Sequence, residues 1–120
     1  MSRIERMAEK VATTRLSAIH TYKVGDIFFS SWGYDQTNIS WYQVTGVTEK
    51  AVRVREIMGK IVGGSAGTDN VVPVPNEWDP HGKEQIKIVN PRGSLKMTSY
   101  AYAYPWDGHP KSQTAFGYGH

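Results

Sequence analysis

At Tyr22 the apolar residues of the chain change period, from helical spacing to strand spacing, and that switch decides the fold class. The turn Lys23-Val24-Gly25-Asp26 feeds a strand predicted over 27–30, Ile-Phe-Phe-Ser. Residues 39–45 are dense in β-branched and aromatic side chains, and after Gly46 the run 51–57 alternates strictly. The two runs read as a hairpin in which Val52 and Val54 face inward, leaving Arg53 and Arg55 side by side on the outer face. Around Asn90-Pro91-Arg92-Gly93 a second hairpin is predicted, because Asn, Pro and Gly stand where a type I turn takes them. The stretch from Thr98 to Tyr104 alternates large and small, so Tyr100, Tyr102 and Tyr104 share one face and Ala101 and Ala103 the other, until Pro105 ends the strand.

Before the switch, Ser2-Arg3-Ile4-Glu5 has the form of a capping box, and Ile4, Met7, Ala8 and Val11 recur at helical spacing, which predicts an amphipathic helix within 1–20. Between the hairpins, Gly63, Gly64, Gly67, Pro73, Pro75 and Pro80 give residues 58–82 the composition of a long loop. A chain of 120 residues that is 39% hydrophobic supplies one core, hence a single domain over 1–120, with the sheet over 22–104 and a tail over 105–120. The expected architecture is mostly β (α+β): a small SH3-like barrel or curled antiparallel sheet of about five strands with an N-terminal helix.

Several function classes fall away on composition. The chain has no cysteine, which excludes a disulfide framework and a thiolate zinc site and favours the cytosol. Its opening residues, MSRIERMAEK, carry no apolar run, and no stretch reaches membrane-spanning length. His20, His81, His109 and His120 lack metal-ligand spacing, and Gly59-Lys60-Ile61-Val62-Gly63-Gly64 lacks the phosphate-loop pattern, so neither metal nor cofactor is implied. No nucleophile motif is present, and the reading leans away from an enzyme.

Two clusters carry recognition chemistry. Trp32, Tyr34, Asp35, Gln36, Thr37 and Asn38 crowd one short connection, either as a ligand-contacting loop or with Asp35, Thr37 and Asn38 closing their own turns and Trp32 in the core. Tyr100, Tyr102 and Tyr104, followed by Trp106, Asp107 and His109, are either a packed face or a binding stripe.

Residues 24–28 (Val-Gly-Asp-Ile-Phe), the string Ser30-Ser31-Trp32-Gly33-Tyr34-Asp35-Gln36-Thr37-Asn38, Tyr42-Gln43-Val44, residues 52–57, Ser99-Tyr100-Ala101 and Trp106-Asp107-Gly108-His109-Pro110 together resemble a group of small proteins of bacteriophages and plasmids. The resemblance implies a cytoplasmic accessory protein of a mobile element. It transfers no catalytic or binding residue.

Three functions follow as expectations. The first is a non-enzymatic counter-defence protein, anti-CRISPR-like, that binds a host protein or ribonucleoprotein through the Trp32 to Asn38 loop and exposed aromatics. A net charge of +3 argues against an acidic mimic of DNA. The second is an SH3-like nucleic-acid module in which Arg53, Arg55, Lys87, Arg92 and Lys96 meet phosphates and tyrosines or Trp41 stack on bases. The third is a small-ligand protein or enzyme using Asp35, Gln36, Asn38 and His109. Monomer and homodimer are both compatible with the sequence.

Overall fold

A computed structural model describes residues 19–33 and 36–115. They form one antiparallel sheet of eight strands: β1 Ile27–Trp32, β2 Asn38–Val47, β3 Ala51–Ser65, β4 Thr68–Trp78, β5 Gln85–Ile88, β6 Leu95–Thr98, β7 Ala101–Pro105 and β8 Lys111–Thr114. The order is β6-β7-β1-β2-β3-β4-β8, with β5 paired to β3 off that path. The mostly-β expectation holds in this coarse form. The expected N-terminal helix lies outside the described residues, among which no helix is long and apolar enough to cross a membrane.

Alternation sets the curl. Phe28, Val44, Val52, Val54, Val89, Leu95 and Ala103 point to one side and form a fully buried cluster, against which Tyr22 and Tyr42 pack. A single bridge between Val89 and Leu95 joins the end of β5 to β6, so the pairings run from β3 through β2, β1, β7, β6 and β5 back to β3. The turn between them is the one predicted: the Gly93 amide donates to Asn90 O at 2.8 Å, and Gly93 takes φ +83°, a conformation that favours glycine. Tyr22 closes this end of the lumen, its hydroxyl donating to Gly93 O at 2.6 Å and its ring set edge-on to Phe28.

Of residues 58–82, read as a loop, 58–78 form strands joined by a tight turn, and only 79–82 stay outside the sheet. β3 runs on to Ser65 and returns as β4, and the sheet therefore has eight strands where about five were expected. Most of the glycines and prolines that read as loop sit at register shifts and inside the ladder, Gly59 facing Pro73 and Gly63 facing Asn70, while Gly67 lies in the hairpin turn and Pro80 in the turn after β4. β8, in the segment read as tail, adds to β4. This second layer covers the outer face of β2, where Trp41, Ile57 and Val71 form a separate buried cluster with Phe29, Trp78 and Trp106 around it. Gly59 makes that closure possible, since a Cβ there would stand 2.8 Å from the Trp41 ring. Trp41 ends fully enclosed, its indole N–H without a hydrogen-bond partner among the described residues.

Leu95→Ala removes a fully buried side chain from the lumen, and urea denaturation is expected to show a loss of about 2–5 kcal/mol. Ile86→Ala, at a residue 66% exposed on β5, is expected to change stability by less than about 0.5 kcal/mol in the same assay.

Candidate functional site

The tyrosine stripe faces solvent. On β7, Ala101 and Ala103 fill the lumen, while Tyr102 and Tyr104 point outward at 38% and 48% exposure. Tyr100, in the turn before β7, is 82% exposed. Tyr102 lies opposite Lys96 on β6, and Tyr104 lies opposite Phe29 on β1, with the two rings tilted at 6.2 Å. Tyr102 and Tyr104 share a groove of about 480 Å³ with Asn90, Pro91, Arg92 and Ser94 from the turn after β5.

The arginine pair is on the predicted outer face, Arg53 in an exposed ion pair and Arg55 against an aromatic ring, its buried Nε without a hydrogen-bond partner among the described residues. Arg53 stands 3.7 Å from Glu84, and the Arg55 guanidinium lies 5.4 Å from the centre of the Trp78 ring. Lys87 turns its amine to Met97 O at 3.5 Å. Of the five basic residues read as phosphate contacts, Arg92 and Lys96 are the two that stand exposed beside the tyrosines.

Tyr34 and Asp35 lie outside the described residues, and with Asp35 so does one member of the candidate ligand site with Gln36, Asn38 and His109. Trp32 is not a core residue: it is 44% exposed, with its indole N–H donating to Ser40 Oγ at 2.8 Å. Gln36 is exposed, and Thr37 is tied to β8 by exchanging hydrogen bonds with Thr114 at 2.8 and 2.9 Å. Asn38 opens β2 opposite Trp32.

The Trp106 to His109 segment is largely structural. Trp106 stands edge-on to Trp41 at 5.6 Å and donates to His109 O at 2.7 Å. Asp107 accepts from the His109 amide and from Lys111, both at 3.0 Å, and these contacts hold its carboxyl below the usual carboxylate range.

At the end of the lumen opposite Tyr22, the curled sheet is open. Ser30, Trp32, Ser40, Tyr42, Glu56, Met97, Thr98, Tyr100 and Ala101 line a cavity of about 310 Å³ there. Burial pushes the half-buried Glu56 carboxyl upward, and the nearby Asp79 charge pushes it further in the same direction. Burial, then the Glu56 charge, raises the Tyr42 phenol, against a smaller opposing hydrogen bond from Ser40. Neither Tyr42 nor Glu56 was singled out in the sequence. The signal was present as alternation, because Glu56 continues the inward series Val52, Val54 and Tyr42 continues Val44.

No family model, no curated protein and no solved structure gives a match to this chain.

The Glu56 shift has a definite sign. A carboxyl whose pKa is higher in the fold than in the unfolded chain favours folding below its unfolded pKa, and that contribution is lost as pH rises through the folded value. Ionised Glu56 therefore opposes folding at neutral pH. Glu56→Gln is expected to raise the melting midpoint at about pH 7 by more than at about pH 4, in thermal scans of both proteins at each pH.

Proposed function

We propose that this chain is a non-enzymatic binding protein that docks a macromolecular partner on the groove between β7 and the turn at Asn90. The observation that carries the reading is the orientation of β7: two alanines in the lumen put Tyr102 and Tyr104 outside, beside Arg92. Tyrosine and arginine are the side chains that most often dominate a binding interface, since they offer large, stiff contact area with polar ends. Three tyrosines exposed within five residues make a contiguous aromatic surface open to a partner.

With the resemblance to phage and plasmid proteins, the partner class is a host protein or ribonucleoprotein in the bacterial cytoplasm, and the role is counter-defence. The finer architecture we infer is an SH3-like barrel. The circuit of pairings through β3, β2, β1, β7, β6 and β5 supports it, with the β3–β4 hairpin and β8 as additions.

A second reading draws on a specific observation. Lys96 lies directly opposite Tyr102 on the neighbouring strand, and an aromatic beside a cation on an exposed sheet face suits single-stranded nucleic acid, base on ring and phosphate on amine.

The test is an affinity pull-down from bacterial lysate, with and without nuclease, using the unmodified chain and a Tyr102→Ala/Tyr104→Ala variant. The expected result is a discrete protein retained after nuclease and, once that protein is purified, affinity at least about tenfold weaker for the variant. Recovery of nucleic acid alone, released by moderate salt, would move the assignment to the second reading. Equal retention by both proteins would remove the groove from either account.

A further inference from the structure

The open end of the lumen is built differently from the tyrosine groove. Its walls are aromatic, Trp32, Tyr42 and Tyr100, and Met97 and Ala101 supply apolar surface. The Trp32 ring is held in place by its hydrogen bond to Ser40, so this wall is formed before any ligand arrives. Into these surroundings β3 directs a single carboxylate, Glu56.

That carboxylate has no counter-charge among the described residues. No basic side chain among them pairs with Glu56, and the charge that acts on it most, Asp79, has the same sign. The bases on adjoining positions are directed elsewhere: Arg53 to Glu84, Arg55 to Trp78, and Lys87 to Met97 O. A half-buried carboxylate that opposes its own fold at neutral pH, at the mouth of an aromatic-walled cavity, has the form of a group kept for a ligand.

We propose that this cavity binds an organic cation, an alkylated ammonium or a guanidinium group, with its charge on Glu56 and its substituents against the Trp32, Tyr42 and Tyr100 rings. Aromatic faces attract such ions through their quadrupole, and a desolvated carboxylate adds a charge-assisted contact. An anion would meet Glu56 and Asp79, while an uncharged apolar group would leave Glu56 buried without compensation. The volume of about 310 Å³ lies at the small end of ligand pockets and suits one such group better than an extended ligand. The same chemistry arrives either as a free amine or at the end of a lysine or arginine side chain on another protein. The site uses neither Tyr102, Tyr104 nor Arg92, so it stands or falls independently of the groove.

The experiment follows the Trp32 indole N–H resonance during titration with choline, with ethylguanidinium, with the uncharged tert-butyl analogue of choline, and with sodium chloride as ionic control. The expected result is a saturable shift with at least one of the two organic cations, with affinity about tenfold or more above that of the uncharged analogue. Glu56→Gln is expected to lower that affinity by a similar factor, while Glu77→Gln, on exposed β4 backbone, leaves it unchanged. No saturable shift with either cation, equal binding of the uncharged analogue, or undiminished binding to Glu56→Gln would each overturn the proposal. A short neutral peptide bearing one trimethyllysine or one arginine separates the sources. Tighter binding than the free cation assigns the site to a protein side chain, and weaker binding assigns it to a free amine. Retention of the lysate partner by Glu56→Gln keeps this result distinct from that of the groove.

Discussion

Strand β3 has to serve two partners along one edge, and the rest of the architecture follows from how it does so. Its other edge pairs continuously enough with β2, from Val52 to Ile57, to act as a spine. On the shared edge, residues 51–54 pair with β5, and from Ile57 onward the partner is β4. Arg55 and Glu56 fall at the changeover, where the ladder is interrupted and the Glu56 carbonyl is taken by the Asp79 amide at 3.0 Å. Pairing with β5 curls the sheet into a lumen, pairing with β4 sends a hairpin away from it, and the interruption leaves the lumen open at that end. Two adjacent residues thus point to opposite faces at a gap, Arg55 toward Trp78 and Glu56 into the cavity.

Because the sheet has two covered faces, the aromatic residues separate by parity. On β2, Tyr42 and Val44 belong to the lumen and Trp41 to the outer cluster beneath Gly59 and Trp106. On β1, Phe28 is inside and Phe29 outside, where Lys111 crosses its ring at 4.5 Å. On β7 the inward places go to Ala101 and Ala103, since Phe28 and Leu95 already fill the volume there. The tyrosines are displaced onto the surface by the packing of the strand that carries them. Among the described residues the outer cover reaches Phe29 on β1, through Lys111 of β8, and Tyr102 and Tyr104 on the next strand stay exposed.

Local chemistry was legible in the sequence wherever a residue's own neighbours decide its conformation. The Asn90-Pro91-Arg92-Gly93 turn, the inward Val52 and Val54, and the shared face of Tyr102 and Tyr104 all follow from turn preferences and the two-residue period. What was not legible depends on pairing between distant segments. Gly63, Gly64, Pro73 and Pro75 have loop propensities, yet they lie in a long hairpin because register shifts between β3 and β4 absorb them and because Gly59 lets Trp41 seat beneath the ribbon. The engagement of Arg53 by Glu84 joins residues far apart in the chain, as does the gathering of Trp32, Glu56 and Tyr100 at one cavity. Alternation says which face a side chain takes. It does not say what covers that face.

The central claim is that β7 turns its alanines in and its tyrosines out, and the most direct measurement is site-resolved nitration of tyrosine in the free, native protein, read by mass spectrometry. Tyr102 and Tyr104 are expected to react early with Tyr100, whereas Tyr22, bound to Gly93 O, and Tyr42, in the lumen, react late because burial hinders access and raises their phenols. Protection of Tyr102 and Tyr104 to the level of Tyr42 would place the stripe inside, reverse the parity of β7 and contradict the account.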